Sequence, residues 1–488
     1  MKTCSSQTCH SPMCAGCPMA MGRRGFLKTV GASALALKMG LFDFASSLFG
    51  QDFKTAGKPR VVAVFVRPPD VEKYWMGWPG GTYDIKGRQA DYTKTLSDAA
   101  KQMGVELDVI AQPLVDQGAV NGFLENLKQS PPEGAIVCLQ AMSHWNLANH
   151  IADQKGEVPL ILFSPMGTSF TGHLQASRKA AKTFVAATQD FTWLAEGLRM
   201  LKTIWDMRQS RICIITGDKT EDRPLEPIGT TLHYIPHRRW LETHAEIETT
   251  DEVRAIADYY TKEAKKIVEP TAEDILYAAK NYAVARKIMA DENCQGISLN
   301  CLPLVGGEQV RCGPCMAWSK LNDEGSVGAC EADWNAAISL RLSALLCRRP
   351  GFMQDPAPNT VNNTLMGAHC SCPTKLDGID KPGHEPFILR THSEPDKGVA
   401  TQVLWRIGEP ATVMKFQGPG SIILGTGRVV ANIDTPPSGG CRTSVELEMD
   451  DMADTRDCKG FHQLFIYGKL DSQFKAYGQL AGVEVVPI

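Results

Sequence analysis

The sequence lacks several features that would assign it to a common functional class. Its 488 residues carry 51 basic and 54 acidic side chains, a net charge of -3, and no basic stripe with interleaved aromatic residues occurs. Neither a GxGxxG motif nor a Walker P-loop is present, so a nucleotide cofactor is not indicated. Apart from residues 30–48, no long apolar run appears. Nucleic acid is therefore not an expected partner.

The first fifty residues have the pattern of an export signal. Arg23 and Arg24 precede Gly-Phe-Leu-Lys and the moderately apolar residues 30–48, which matches a twin-arginine signal. Lys38 and Asp43 interrupt that run, making it too polar for a comfortable transmembrane helix. We expect the twin-arginine export machinery to deliver the protein to the periplasm or the exterior. Because no clean Ala-X-Ala site follows, an uncleaved membrane anchor is the alternative to a cleaved signal.

Sixteen cysteines are present, and their spacing indicates no clear metal knuckle. Four of them precede the arginine pair, in a segment that cleavage should remove. An exported location would permit disulfides among the other twelve. Cys138 and Cys213 lie in apolar strands and have the character of buried small hydrophobic residues. Cys312 and Cys315 form a single CGPC motif, which is a weak redox or metal signal without a partner pair.

The mature chain opens with alternating strand and helix patterns. Apolar runs recur in RVVAVFVRP, VELDVIAQP, GAIVCLQA and VPLILFSP, with helical patterns such as DYTKTLSDAAKQMG between them. This alternation is typical of a parallel sheet covered on both faces. After the helix FTWLAEGLRMLKTIW, residues 211–217 begin a second unit of the same kind. Beyond Cys372, short strands separated by glycine and proline indicate an antiparallel barrel or sandwich.

The predicted fold class is therefore α/β: two Rossmann-like domains followed by a β-rich, barrel-like C-terminal domain. The predicted boundaries are a signal segment at residues 1–50, α/β domains at 59–190 and 191–310, and a final domain at 311–488 that includes a buried helix. Ligands of α/β proteins usually lie at the carboxyl ends of the strands. The loop after the first strand holds Trp75 and Trp78, whose faces suit stacking on a sugar ring; capping of the sheet is an equally good explanation.

Most of the candidate catalytic side chains lie between Cys330 and Cys372. Apolar residues spaced three and four apart over 336–346 predict a largely buried helix, with Glu331 and Asp333 in its first turn. A loop then carries Gln354 and Asp355, and the strand TLMGAH ends at His369. Acids in a first turn are also ordinary helix starts, so the spacing by itself does not require a catalytic site.

These residues resemble a known family. The order Glu, Phe-Met-X-Asp, Gly-Ala-His is similar to the active-site half of the L-arabinose and L-fucose isomerases, particularly shorter members of uncertain substrate. The segments CMAWSKLNDEG, LGTGRVVANIDTPPSGGCRTSVELE and KGFHQLFIYG resemble the same family. The resemblance covers residues 296–488 well and the earlier chain only in its α/β pattern.

The resemblance implies a divalent cation bound by Glu331, His369 and His462. This donor set suits manganese, with zinc or ferrous iron also tolerated. Glu331 and Asp355 are the expected catalytic carboxylates. The family also implies a sugar substrate and a homo-oligomer, commonly a trimer or hexamer. The expected sugar contacts are Gln354, Trp75, Trp78 and His392.

One departure leaves the reaction open. The alignment places Gln354 where the family has its second acidic ligand, and glutamine cannot act as a base. The favoured function is an exported, metal-dependent sugar isomerase that works through an enediol. The alternatives are a lyase, epimerase or non-haem iron enzyme at the same site, and a non-catalytic sugar-binding protein on an isomerase scaffold.

Overall fold

The computed structural model describes residues 57–70, 74–76, 81–393, 395–435 and 440–488. Packing divides the chain into two units, Met1–Asp52 and Phe53–Ile488, and every described residue belongs to the second. The predicted signal segment, residues 1–50, lies outside the described residues and stays a prediction. Within the described ranges, no helix has the length and apolar character needed to cross a membrane.

The first part of the described chain forms a fully parallel sheet. This part of the chain contains the strands β1 (Arg60–Val66), β2 (Tyr74–Met76), β3 (Gly81–Tyr83), β4 (Glu106–Val109), β5 (Gly134–Leu139), β6 (Leu160–Ser164) and β7 (Thr183–Ala187). Five of them pair in the order β4-β1-β5-β6-β7, all in parallel, while β2 and β3 make a separate hairpin. Strands β5 and β6 are buried along their whole length, as expected of a sheet covered on both faces.

Four helices connect these strands, and the first two begin at a capping side chain. They are α1 (Ile85–Met103), α2 (Gln117–Gln129), α3 (Trp145–Gln154), after a 3₁₀ turn at Met142–His144, and α4 (Gln175–Lys179). The carboxylate of Asp84 accepts a hydrogen bond from the N–H of Gly87, and Asp116 does the same for Ala119. Side-chain acceptors at this position satisfy amides that the helix leaves unpaired. The order of the five strands, counted along the chain, is 2-1-3-4-5, a doubly wound arrangement.

A second five-stranded sheet follows, and it is mixed. Its region contains β8 (Arg211–Ile215), β9 (Glu221–Leu225), β10 (Thr230–Ile235), β11 (Lys266–Ile267), β12 (Gly296–Leu299) and β13 (Val327–Cys330), with helices α5 (Trp193–Gln209), α6 (Arg238–Glu246), α7 (Asp251–Glu263), α8 (Ala272–Asp291), α9 (Leu302–Gly306) and α10 (Cys315–Asp323). The order is β13-β12-β8-β10-β9, and only the edge strand β9 runs antiparallel to its neighbour.

The C-terminal part contains a closed six-stranded antiparallel barrel. Its elements are α11 (Trp334–Leu346), β14 (Phe352–Asn359), β15 (Thr364–His369), β16 (Phe387–Arg390), β17 (Ala400–Val403), β18 (Pro410–Phe416), β19 (Ser421–Asn432), β20 (Thr443–Met449), a 3₁₀ turn at Thr455–Asp457, β21 (Gln463–Tyr467), α12 (Asp471–Ala481) and β22 (Glu484–Pro487). The ring β18-β21-β14-β15-β20-β19 closes through pairing of β18 with β19. Strand β22 adds to β19 in parallel. Strands β16 and β17 instead join β11 in a three-stranded sheet.

Helix α11 connects the second sheet to the barrel. It packs against β8, β12 and β13 of the sheet and against β18 and β21 of the barrel. Ala336, Ile338 and Leu342 are fully buried, so apolar contacts on several sides hold the helix in place. The segments that precede and face this helix are therefore fixed relative to the barrel strands.

The α/β class and the β-rich C-terminal part agree with the prediction, and the barrel is closed. Two Rossmann-like domains are not established, because the second sheet has an antiparallel edge and residues 53–488 pack as one unit. Strand β13 pairs with β12 although it lies beyond the predicted boundary at residue 310. The domain boundaries therefore stay a prediction.

Candidate metal centre

Four segments bring charged side chains together where the second sheet meets the barrel. Glu331 directly follows β13, Asp355 lies in β14, His369 ends β15, and His462 immediately precedes β21. Strand β14 pairs with β15 on one side and with β21 on the other. Three of the four residues therefore come from neighbouring barrel strands, and the fourth comes from the carboxyl end of a strand in the second sheet.

The distances within this group suit a single cation. Ligand atoms of Glu331, His369 and His462 all lie within 4.8 Å of one another. Glu331 Oε1 is 3.9 Å from His369 Nε2, and Glu331 Oε2 is 3.5 Å from His462 Nε2. Asp355 Oδ1 lies 3.1 Å from the same nitrogen of His462. Carboxylate oxygen with imidazole nitrogen is a donor set that accepts manganese, zinc or ferrous iron.

Asp333 and Lys415 fix the orientation of the His462 ring. The Nδ1 atom of His462 lies 2.9 Å from Asp333 Oδ2, and Lys415 Nζ donates to the same oxygen at 2.8 Å. Lys415 also donates to the carbonyl oxygen of Phe461. A carboxylate that is hydrogen-bonded to one ring nitrogen of a histidine holds the ring proton there and leaves the other nitrogen to bind a metal. In this site the other nitrogen is Nε2, which faces Glu331 and Asp355.

Two buried polar atoms in the group form no hydrogen bond. They are Nε2 of His462 and Oδ1 of Asp355, which lie 3.1 Å apart and form an ion pair when His462 is protonated, but without hydrogen-bonding geometry. Buried polar atoms are normally paired, so each exception calls for an explanation, and a bound ion is one. The residues therefore fit a cation on geometry as well as on donor chemistry.

The carboxylates control the protonation of His462. Burial disfavours its charged form, but the hydrogen bond to Asp333 and the charges of Asp355 and Glu331 outweigh burial and raise its pKa to about 9. For Asp333, burial opposes ionisation, yet His462 and Lys415 lower its pKa to about 2. A cation at Nε2 would replace the proton that His462 otherwise holds at neutral pH.

For His369, the effect of burial on the pKa outweighs that of the nearby carboxylates. Burial lowers its pKa, despite the opposing effects of Asp355 and Glu331. The backbone N–H of Cys370 donates a hydrogen bond to its Nδ1 at 2.9 Å, and Ser371 Oγ lies 3.4 Å from the same nitrogen. Nδ1 is therefore an acceptor in this structure and the ring proton lies on Nε2. A cation bound at Nε2 would require that proton to move to Nδ1, where the Ser371 hydroxyl is the nearby acceptor.

Backbone strain accumulates at the same place. Glu331, Ala332 and His462 have φ values of 60°, 55° and 53°, in the left-handed region that side chains rarely adopt. Such residues cost on the order of 1 kcal/mol or more each and persist where the surrounding structure enforces them. With this backbone conformation, the side chains of Glu331 and His462 face each other although they come from two different parts of the fold.

Two local predictions for this stretch were wrong. Glu331 does not lie in the first turn of the helix; it precedes it, and Asp333 is the N-cap, accepting from the N–H of Ala336. Gln354 and Asp355 lie in strand β14 and not in a loop. Successive strand residues point to opposite faces, so Asp355 faces His462 while Gln354 turns away. Gln354 is fully buried and donates to Gln463 Oε1 at 3.2 Å.

The other predicted sugar contacts are less well defined. His392 lies near enough to Cys370, the neighbour of His369, for its charge to affect the pKa of that thiol. Trp75 lies in the hairpin strand β2, well before the site in the chain, and its side chain is not among those described; Trp78 lies outside the described residues. Their roles as sugar contacts stay predictions.

The sequence analysis missed Lys415 and the part that Asp333 plays. Lys415 is 7% exposed in a strand whose next residue, Phe416, and preceding residue, Met414, are fully buried. A single lysine inside an apolar strand needs a buried anion as a partner. That pattern, TVMKF in the sequence, is a signal that could have predicted an ion pair there without identifying its partner.

Comparisons with known proteins show a limited similarity. No family model matches the chain. Sulfoquinovose isomerase from Alkalicoccus urumqiensis is 25% identical over 158 residues, which is 32% of this chain and 32% of that protein. The similarity is thus to a sugar isomerase, over about a third of its length. A solved ABC-transporter solute-binding protein from Burkholderia multivorans aligns with 10% identity over 60% of this chain and 95% of its own, but a TM-score of 0.19 establishes no shared fold.

Proposed function

We propose that this protein is a metal-dependent sugar isomerase. The observation that supports the proposal best is the group formed by Glu331, His369 and His462, with Asp355 directly beside it. Partial similarity to a sugar isomerase supports the same class. The site would lie between the carboxyl edge of the second sheet and the barrel.

Interconversion of an aldose and a ketose moves a proton between two adjacent carbons. A divalent cation held by Glu331, His369 and His462 would polarise the oxygens on those carbons. One carboxylate takes the proton from the carbon next to the carbonyl, and the carbonyl oxygen gains a proton, giving an enediol. The carbon-bound proton then returns to the former carbonyl carbon while the neighbouring hydroxyl gives up its proton and becomes the new carbonyl. Asp355 and Glu331 are the two carboxylates placed for this exchange.

The position of Asp355 supports the proposal despite the glutamine at position 354. By the alignment, the second acid was replaced by Gln354. In the structure, Asp355 is the residue of β14 that lies 3.1 Å from His462 Nε2. A carboxylate is therefore present on the side of β14 that faces the cluster, and a glutamine at position 354 does not leave the site without a second acid.

Metal analysis and an isomerase assay test the proposal together. Purified protein should contain close to one equivalent of a divalent metal, with manganese the expected ion. His369→Ala should lose it, and His384→Ala should keep it, since His384 pairs with Glu263 elsewhere. Proton NMR in D₂O should show deuterium exchange at the carbon beside the carbonyl of an aldose. The sugar panel should include a sulfonated hexose, given the relative's name.

Equal metal content in the wild type and in His369→Ala, with both proteins folded by circular dichroism, would refute the metal site. Metal without exchange in any sugar would favour the second candidate. That candidate is a ferrous-iron enzyme, since two histidines and one carboxylate are also a common non-haem iron set. Oxygen consumption by the iron-loaded protein would distinguish it from an isomerase.

The remaining proposals concern location and assembly. We infer export through the twin-arginine pathway from Arg23 and Arg24. Because that pathway carries folded proteins, a metal bound in the cytoplasm could be exported in place. A homo-oligomer follows from the family resemblance, and sedimentation of the purified protein tests it.

A further inference from the structure

Cysteines surround the candidate metal centre. Cys330 precedes Glu331, and Cys370 follows His369. Cys315 and Cys370 form a small buried apolar cluster with Ala400, against which Cys441 packs. The twelve cysteines of the described chain are all free thiols. The proposed isomerase chemistry uses none of these cysteines.

Cys370 and Cys441 are in direct contact. Cys441 packs against the cluster that contains Cys370, close enough for each thiol to shift the pKa of the other. His369, the last residue of β15, pairs with Thr443 of β20, so the two cysteines lie where these paired strands separate. Cys370 is 1% exposed, whereas Cys441 is half-buried. Cys441 is thus the partly exposed member of the pair, and Cys370 is the enclosed one.

We propose that Cys370 and Cys441 form a reversible disulfide beside the metal centre. Hydrogen peroxide, the oxidant class we name, converts the Cys441 thiol to a sulfenic acid and leaves as water. The sulfur of Cys370 then attacks that sulfur, the S–S bond forms, and a second water departs. Peroxide accepts the two electrons that the thiols lose. A small dithiol returns both cysteines to thiols by exchange.

Other cysteines lack this combination of contact and access. Cys213 and Cys294 also lie close enough for their thiols to interact, but both are fully enclosed. Cys347 is half-buried, and its thiol contacts the amide oxygen of Gln473. Among the described cysteines, the pair beside His369 therefore joins a partly accessible sulfur to a sulfur neighbour.

Disulfide formation should disturb the metal ligand next to it. A disulfide holds its sulfur atoms about 2.05 Å apart, well inside the contact distance of two thiols. Closing the pair therefore pulls the end of β15, where His369 lies, toward Cys441. Changes around a metal ligand typically weaken metal binding by about 10-fold to 100-fold. This consequence rests on the proposed function; the disulfide does not.

Peptide mapping after peroxide treatment tests the disulfide. In the folded full-length protein, mass spectrometry should find the Cys370 and Cys441 peptides cross-linked, and dithiothreitol should release them. Cys441→Ser should abolish the cross-link. Cys347→Ser, the matched half-buried control, should retain it. Cys441 oxidised to sulfinic acid while Cys370 stays a free thiol would overturn the proposal, and so would the absence of this cross-link in peroxide-treated wild type.

Titration with Mn²⁺, followed by electron paramagnetic resonance, tests the consequence. Oxidised wild-type protein should bind Mn²⁺ about 10-fold more weakly than reduced protein, and Cys441→Ser should bind equally under both conditions. Equal affinity of oxidised and reduced wild type would overturn the effect on the metal ligand. If reduced protein binds no Mn²⁺ while the cross-link forms, the proposed function fails and the disulfide stands.

Discussion

The metal-free protein should lose stability as the pH rises from 6.5 to about 9, because of His462. In the native state, burial is outweighed by Asp333, Asp355 and Glu331, so the pKa stands near 9 against an ordinary value of 6.5. The folded protein then binds a proton that the unfolded chain has already released. The stabilisation is complete below pH 6.5 and disappears as the pH passes through 9.

The size of the effect follows from the same interval. Each pH unit between 6.5 and about 9 corresponds to about 1.4 kcal/mol, which gives roughly 3 kcal/mol in total. Solvent screening reduces this little, because the side chains of His462 and Asp333 are only 4% and 16% exposed. A loss of that size is a large part of the roughly 5–15 kcal/mol by which domains are stable.

Urea denaturation with a chelator present measures the effect. Wild type should lose about 3 kcal/mol across the interval, and His462→Gln should lose much less. The difference isolates His462, because the cysteines titrate in both proteins. His244→Gln is the matched control: burial lowers the pKa of His244 to about 4, so it is neutral throughout and its removal should leave the slope unchanged. Equal slopes for wild type and His462→Gln would refute the reasoning.

Three further predictions follow from the site and the sequence. Mn²⁺ binding below pH 9 should release about one proton, from His462, and calorimetric titration in buffers of different ionisation enthalpy should detect it. Gln354→Glu should give no gain in isomerase activity and should lower stability by about 1–3 kcal/mol, because it places a carboxylate in a fully enclosed position; urea denaturation and the NMR assay check both. Replacing Arg23 and Arg24 by Lys should leave the protein in the cytoplasm, and cell fractionation would show normal export if this is wrong.

Local patterns were enough to predict the elements near the site. Apolar spacing predicted helix α11, which spans Trp334–Leu346, and TLMGAH predicted β15, which ends at His369. Both signals depend on neighbours within one element. The α/β part was likewise predicted from its strand and helix patterns, because each pattern depends only on residues within one segment.

The position of Asp355 could not be predicted in this way. Pro356 and Pro358 follow it, and prolines argue against a strand that has neighbours on both sides. In the structure, β14 nevertheless pairs with β15 and with β21, about a hundred residues later. That long-range register decides which of Gln354 and Asp355 faces His462. Closure of the barrel, through β18 and β19, depends on the same kind of pairing, and helix α12 was not predicted.

The Asp333 carboxylate supports both the start of helix α11 and His462, a candidate metal ligand. Asp333 accepts from the amide of Ala336 through Oδ1, at 3.0 Å, and holds the ring of His462 through Oδ2. When the ring is drawn toward a cation, the carboxylate is steadied on both sides, and the first turn of α11 should fray less often. The amide of Ala336 is thus a built-in reporter: its exchange with deuterium should slow when the site fills, which reveals occupancy by a spectroscopically silent ion.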